Sequence, residues 1–241
     1  MRLDKLLAGL GYGSRREIGA LAGAGRIVLD GTPLGRADER IAIDPTLETR
    51  LLIDDEPVDP LPGMVILLNK PLGVTCSHKE AGELVYDLLP RRWRQRVPAL
   101  STIGRLDKET SGLLLLTDDG AYLHRVISPK AKIEKRYHVT LDRPLAGTEA
   151  GIFAQGGLML EGDDKPLLPA RLEERGPTEA VLAITEGRYH QVRRMFAALG
   201  NHVVALERTG IGGLDLPADL PRGTFTRLDE NDRVRPFADV A

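Results

Sequence analysis

The segment GRLDKETSGLLLLTDDG, residues 104–120, places a carboxylate close to the most apolar stretch of the chain. Residues 113–116 are four consecutive leucines and predict a buried strand, and Asp107 lies just ahead of them. Arg105 and Asp107 are of types that normally avoid burial. The segment therefore predicts either a solvated turn or an aspartate held in a cleft. In a cleft, an ionised and desolvated carboxylate can act as a nucleophile or a base.

A tyrosine and an arginine are the other candidates for such chemistry. In KRYHVTL, residues 135–141, strand alternation puts Tyr137 on the apolar face, where it is either a core residue or part of a site. In QVRRMFAAL, residues 191–199, Arg193 falls at the edge of the apolar stripe of a helix. From there it can turn into a cleft or reach water. An arginine beside Asp107 would keep that carboxylate ionised.

Metal chemistry is a weaker prediction. Asp118 and Asp119 precede GAYLHRVIS and indicate a turn and helix cap, although a metal-dependent nuclease using both with Asp107 is an alternative. Cys76 is the only cysteine, so no intrachain disulfide can form. The five histidines show no metal-ligand spacing; they are His78, His124, His138, His190 and His202. We therefore expect no metal and no organic cofactor.

The elements that must position these residues predict an α+β fold. MVILLN, GLLLLT, KRYHVTL and EAVLAIT are the clearest strands, and GAYLHRVIS and QVRRMFAAL are the clearest helices. Because strands and helices do not alternate regularly, we expect a mixed, mostly antiparallel sheet flanked by helices. We assign this larger domain to residues 60–236.

A small α/β module is predicted ahead of it, over residues 1–59. Leucines at helical spacing begin a first helix, and Gly11 and Gly13 end it. Ser14 and Glu17 form the capping box of a second helix over residues 15–24, which precedes the strand and turn RIVLDG. The proline-rich segment IDDEPVDPLPG, residues 53–63, is predicted to be a semi-rigid linker to the larger domain.

Charge is distributed unevenly although the net charge is only −2. Residues 1–36 contain six basic and three acidic residues, whereas residues 37–63 contain eight acidic and two basic ones. Arginines at a helix start suit a phosphate backbone, with a solvated helix face as the alternative. The candidate RNA contacts of the module are Arg2, Lys5, Arg15, Arg16 and Arg26.

The N-terminal pattern resembles the small RNA-binding module of ribosomal small-subunit protein four. The segments LNKPLGV, GRLDKETSGLLLLTDDG, KRYHVTL and EGRYHQVRRM resemble the motifs of the ribosomal pseudouridine synthases. Together the two resemblances cover the chain to about residue 230. They imply an enzyme that isomerises uridine to pseudouridine in ribosomal RNA.

The resemblance also implies roles for individual residues. Asp107 would start cleavage of the glycosidic bond, either as a nucleophile at the sugar or as a base removing a sugar proton. Tyr137 would pack on the flipped base and assist removal of the proton from carbon 5, and Arg193 would pair with the aspartate. Arg105 would fill the gap left by the flipped uridine, which helps offset the cost of flipping.

Within the family, EGRYHQVRRMFAALGNHVVALER is most similar to the branch that acts on 16S rRNA. A 23S rRNA enzyme and a non-catalytic RNA-binding assembly factor are the alternatives. The implied partner is 16S rRNA in an assembling small subunit, bound by a monomer. Asp4 and Lys5 interrupt any apolar leader and no apolar run approaches the ~20 residues that span a bilayer, so we expect a cytoplasmic protein without membrane contact. RRWRQR, residues 91–96, is expected to contact RNA or form a solvated loop.

Overall fold

The computed structural model describes residues 1–77 and 82–238, so His78 lies outside the described residues. The chain divides into two compact units. The first comprises Met1–Val65, Tyr86–Ser101 and Thr117–Gly120, and the second comprises the described residues of the remainder. The domain boundary predicted between residues 59 and 60 stays a prediction. Within the described ranges, no helix combines the length and apolarity needed to cross a bilayer.

The first unit packs short helices on a small antiparallel sheet with the strand order β2-β1-β3-β4. Its elements are α1 (Leu3–Gly9), α2 (Arg15–Gly23), β1 (Ile27–Leu29), β2 (Thr32–Pro33), α3 (Leu47–Arg50), β3 (Leu51–Ile53) and β4 (Glu56–Pro57). The leucine stripe of α1 is buried in a core that also contains Ile18 and Ile27. The first helix and its buried face agree with the sequence pattern.

The start of α2 has the predicted capping box. The Ser14 hydroxyl accepts from the Glu17 amide, and the Ser14 amide donates to the Glu17 carboxylate at 2.7 Å. Gly13 precedes the cap with φ +130°, a conformation that favours glycine. The reciprocal bonds satisfy two of the amide groups that a helix start leaves unpaired.

Residues 53–63, predicted to be a linker, begin within a β-hairpin. Asp54 and Asp55 have φ +55° and +65° and form the turn between β3 and β4. Beyond the hairpin, the Arg96 guanidinium donates to the carbonyl oxygens of Pro60 at 2.9 Å and Leu61 at 3.3 Å. The segment is therefore held by a hairpin at its start and by side-chain hydrogen bonds beyond it.

The segment RRWRQR differs from the expectation of RNA contacts or a solvated loop. Trp93 and Arg96 are both buried. Arg96 donates two hydrogen bonds to one oxygen of Asp118, from Nε at 3.0 Å and from Nη2 at 2.7 Å. Arg92 lies over the Tyr12 ring, 4.2 Å from its centroid. The expectation is wrong for Trp93 and Arg96, because an aromatic ring and a buried carboxylate hold this segment in the first unit.

The second unit is built on a mixed, mostly antiparallel sheet, as predicted. Its main path runs β13-β5-β7-β11-β8-β10-β9, with β6 on β7 and β12 on β11. The strands are β5 (Val65–Lys70), β6 (Ser101–Thr102), β7 (Ser111–Thr117), β8 (Lys135–Leu141), β9 (Arg171–Gly176), β10 (Glu179–Ile184), β11 (Val203–Ile211), β12 (Leu214–Asp215) and β13 (Phe225–Arg227). The helices are α4 (Gly120–Ile127), α5 (Glu149–Gln155), α6 (Gln191–Ala198) and α7 (Glu230–Val234).

The leucine strand β7 is central in this sheet, and all four of its leucines are fully buried. It pairs in parallel with β11, where Gly112 lies opposite Arg208. Gly112 has φ +99°, and a Cβ there would overlap the backbone oxygen of Arg208. Glycine at this position therefore permits the close approach of β7 and β11 that fixes the loop ahead of β7.

Candidate active site

A cleft of about 780 Å³ lies in the second unit beside the loop that carries Asp107. Arg105 and Asp107 line it from this loop, Tyr137 from β8 and Arg208 from β11. The structure thus brings Asp107, Tyr137 and Arg105 to one cleft. Tyr137 is 8% exposed and Arg105 is exposed. The Asp107 side chain is half-buried, with 31% of its surface exposed, so the carboxylate is open to an incoming substrate.

The loop that carries Asp107 is held in place by a buried lysine. Lys70 ends β5 and is fully buried, and its Nζ donates to the carbonyl oxygens of Asp107 at 3.1 Å and Thr110 at 2.9 Å. It also donates to the carbonyl oxygen of Pro71 at 3.0 Å. Burial lowers the pKa of Lys70. The carbonyl oxygens of Asp107 and Thr110 thus tie the loop to the end of β5.

Replacing this lysine should loosen the loop. We expect Lys70→Met to lower the free energy of unfolding by about 2–3 kcal/mol, because hydrogen bonds to a charged donor are removed and buried carbonyls remain. Turnover should also fall, since the Asp107 main chain is no longer fixed. Urea unfolding and single-turnover rates measure the two effects. Lys165→Met, at an exposed lysine, is the matched control, and equal behaviour of the two variants would contradict the role of Lys70.

Arg193 contacts the same loop through its main chain. Its Nη2 donates to the carbonyl oxygen of Glu109 at 2.8 Å and its Nη1 to that of Val203 at 2.8 Å. The predicted pairing of Arg193 with the Asp107 carboxylate is therefore not the contact that the structure shows. The border position of Arg193 on α6 directs its guanidinium to carbonyl oxygens, and it supports the backbone of the loop.

The imidazole of His190 lies beside the Asp107 carboxylate, and the sequence predicts no catalytic role for this residue. His190 Nε2 lies 3.5 Å from Asp107 Oδ1. His190 precedes α6 with φ +48°, a left-handed conformation that is uncommon for a residue other than glycine. Its ring stacks on Tyr189 at a centroid distance of 3.9 Å. No sequence signal marks the left-handed residue that brings this imidazole to the aspartate.

Arg208 and Lys135 also line the cleft, and the sequence does not predict a role for either residue. Arg208 is 2% exposed and lies opposite Tyr137 on the sheet. Its Nε donates to the Leu113 carbonyl at 2.7 Å, while its buried Nη2 has no hydrogen-bond partner in the described part of the chain. Burial, together with the Arg208 cation, lowers the pKa of Lys135 to about 8. Both side chains add positive charge to the lining of the cleft, which suits a substrate with developing negative charge.

The candidate RNA contacts of the first unit differ in their surroundings. Arg2 and Arg15 both donate to the buried Asp4 carboxylate, at 2.8 and 3.0 Å, although both arginines remain about half exposed. Arg26 pairs with Asp54. Lys5 and Arg16 take no part in these pairs. Arg2 and Arg15 therefore neutralise the buried Asp4 carboxylate, in addition to any contact with RNA.

The Asp4 cluster predicts a particular loss of stability in acid. Hydrogen bonds from Arg2 and Arg15 lower the pKa of Asp4 to about 2, below its ordinary value of 3.8. The stabilisation is present above pH 3.8 and should disappear as the pH falls towards 2, because the unfolded state then binds the extra proton. Thermal unfolding between pH 5 and 2 measures it. Asp4→Asn should not show this loss of stability between pH 3.8 and 2, whereas Asp55→Asn, at an exposed turn, should show it in full. If Asp4→Asn lost as much stability in acid as the unmodified protein does, the loss could not be attributed to Asp4.

The alternative of a metal site finds no support in this geometry. Asp118 lies in the first unit and is engaged by Arg96 and by the amide of Gly63 at 2.8 Å. In residues 1–77 and 82–238, no three side chains of histidine, cysteine, aspartate or glutamate converge as a metal site would require.

The second unit is thus an α+β domain with a carboxylate open in a positively charged cleft. The family profile described as RNA pseudouridylate synthase matches residues 64–198. The chain is 41% identical to "Ribosomal small subunit pseudouridine synthase A" of Escherichia coli K12, over 96% of this chain and 98% of the relative. It is 38% identical to "Uncharacterized RNA pseudouridine synthase YtzG" of Bacillus subtilis 168, over 96% of each chain.

A solved structure shows the same fold. The crystal structure of a pseudouridylate synthase aligns with 98% of this chain and 99% of its own length, with a TM-score of 0.69 and 34% identity. The chain therefore belongs to the RNA pseudouridine synthase family. It is an enzyme of the isomerase class, as the sequence motifs implied.

Proposed function

We propose that this protein isomerises a specific uridine of 16S rRNA to pseudouridine, with Asp107 as the catalytic residue and without a cofactor. The observation that supports it most is the half-buried Asp107 carboxylate at the cleft of a chain that matches the E. coli small-subunit enzyme almost end to end. The uridine must leave its stack to reach a carboxylate in a cleft, so the proposal includes base flipping.

The reaction exchanges one bond at the sugar for another. The ionised Asp107 starts cleavage of the bond between ribose carbon 1′ and uracil N1, as a nucleophile at the sugar or as a base. The uracil turns, its carbon 5 bonds to carbon 1′, and the hydrogen of carbon 5 leaves as a proton while N1 gains one. The positive charge that Arg208 and Lys135 add to the lining of the cleft stabilises the negative charge of the detached uracil.

The other cleft residues have supporting roles in this proposal. Tyr137 packs on the flipped base and assists removal of the carbon 5 proton. Arg105, exposed at the cleft, occupies the place that the uridine leaves. Arg193 acts through the Glu109 carbonyl and fixes the loop that carries Asp107.

The first unit is proposed to bind RNA as the module of ribosomal small-subunit protein four does. Lys5→Ala with Arg16→Ala should weaken binding and reduce the slope of log affinity against log salt by about one unit for each phosphate that is no longer neutralised. Filter binding from low to high salt measures this slope. Arg175→Ala, at a surface arginine paired with Glu173, is the control. An unchanged slope for the double variant would remove these residues from the RNA-binding surface.

We propose an assembling small ribosomal subunit as the physiological substrate, modified by a monomer in the cytoplasm. The experiment is to incubate the purified protein with unmodified 16S and 23S rRNA, free and in partly assembled subunits, and to locate pseudouridine by sequencing. One new site in 16S rRNA is expected. A new pseudouridine only in 23S rRNA would overturn the proposal that 16S rRNA is the substrate. RNA binding without any new pseudouridine would favour a non-catalytic assembly factor.

A further inference from the structure

An exposed aromatic ring stands beside the cleft and has no role in the reaction as proposed. Tyr189 lines the cleft and is 76% exposed. Large aromatic side chains usually bury most of their surface. The inner face of its ring stacks on His190 at an interplanar angle of 15°, so its outer face is open.

The segment that carries this ring is held firmly. The Arg188 guanidinium pairs with Asp163 at 2.8 Å and donates to the carbonyl oxygen of Pro166 at 2.6 Å. Arg194 pairs with the other oxygen of Asp163 at 2.7 Å and donates to the carbonyl oxygen of Tyr189 at 3.2 Å. The main chain on both sides of Tyr189 is therefore fixed before any substrate arrives, and a preorganised ring loses little entropy on binding.

The ring is also coupled to the reacting group through a short path. Tyr189 stacks on His190, and His190 Nε2 lies 3.5 Å from Asp107 Oδ1. Because Tyr189 itself lines the cleft, a flat group stacked on its outer face would lie at the margin of the cleft, close to the base that occupies it. In RNA the flat group next to the target uridine is an adjoining nucleobase.

We propose that Tyr189 is a stacking platform for the unpaired nucleobase that adjoins the target uridine, which makes it a specificity-determining residue. The proposal rests on the proposed function, since it takes RNA as the substrate. Proteins commonly hold unstacked RNA bases on tyrosine rings, and this contact tolerates every base because every base has a π-face. The platform therefore selects RNA with an unpaired neighbour at the target rather than a particular base.

The test compares Tyr189→Leu, which keeps apolar bulk, with Tyr189→Phe, which keeps the ring. With a 16S rRNA fragment, Tyr189→Leu should weaken binding by roughly 5- to 150-fold, the range for one stacked base. The single-turnover rate at saturating RNA should change far less. Tyr189→Phe should retain most of the affinity. Unchanged affinity for Tyr189→Leu would overturn the proposal, and so would a loss confined to the saturated rate, because the ring would then act only through His190.

A fluorescence measurement reports the stack directly. The Asp107→Asn protein is mixed with fragments that carry 2-aminopurine on either side of the target uridine. We expect the fluorescence of 2-aminopurine to be quenched at one of the two neighbouring positions, and this quenching to disappear when Tyr189→Leu is combined with Asp107→Asn. Equal quenching with and without the tyrosine ring would overturn the proposed stacking. Because this readout needs no turnover, its failure is distinguishable from failure of the proposed function, which the conversion of uridine by the unmodified protein reports.

Discussion

Asp107→Asn should reduce pseudouridine formation by roughly 10³-fold or more, the scale seen when a reacting residue is removed. Asparagine has nearly the same shape, but its neutral amide cannot serve as the nucleophile or the base. RNA binding should stay within a few-fold of the unmodified protein, because the loop is held through the carbonyl oxygens of Asp107 and Thr110, which the substitution leaves in place. Single-turnover conversion of a 16S rRNA particle measures the rate.

The control for this prediction is Asp164→Asn, which removes an exposed carboxylate. It should convert RNA at the rate of the unmodified protein. Retained turnover in Asp107→Asn would contradict the mechanism. Loss of both turnover and RNA binding would indicate that the variant is misfolded. Urea unfolding of Asp107→Asn with the midpoint of the unmodified protein excludes this explanation.

Arg96→Met should lower the free energy of unfolding by about 3–5 kcal/mol, the cost of breaking a buried ion pair. The side chains of Arg96 and Asp118 are 1% and 2% exposed. Without the guanidinium, the Asp118 carboxylate would keep the Gly63 amide but lose its charged partner. The carbonyl oxygens of Pro60 and Leu61 would lose a donor as well. The midpoint of urea unfolding measures the change.

The chain offers a matched pair at its surface. Arg94 and Asp87 lie 2.8 Å apart with side chains 38% and 45% exposed. Arg94→Met should cost less than about 1 kcal/mol, because water screens an exposed pair. A double replacement of Arg96 by methionine and Asp118 by leucine should recover part of the loss, since no buried charge remains. Similar costs for Arg96→Met and Arg94→Met would contradict the role of the buried pair.

Regular elements were predictable from the sequence because their patterns are local. The buried leucine strand, the alternation that buries Tyr137 and the capping box of Ser14 and Glu17 all depend on residues within one element. Three residues of the cleft could be predicted, because Asp107, Tyr137 and Arg105 lie in the motifs GRLDKETSGLLLLTDDG and KRYHVTL. The structure then places all three on its wall.

Contacts between distant segments were not predictable. Arg193 reaches a carbonyl oxygen 84 residues earlier in the chain, and a backbone acceptor leaves no mark in the sequence. Lys70 and Arg96 are charged types that normally indicate surface, yet both are buried where backbone carbonyls need donors. The signals for Lys70 were its place at the end of a strand that begins with four apolar residues and its place in the motif LNKPLGV.

The most direct test of the proposed isomerisation is tritium release from rRNA labelled at carbon 5 of uridine, in partly assembled small subunits. Carbon 5 loses its hydrogen only if it becomes bonded to the sugar, so release reports the isomerisation itself. We expect the unmodified protein to release tritium in proportion to the particles modified, and Asp107→Asn to release none above background. Undiminished release by Asp107→Asn, or none by the unmodified protein while it binds the particle, would contradict isomerisation through Asp107.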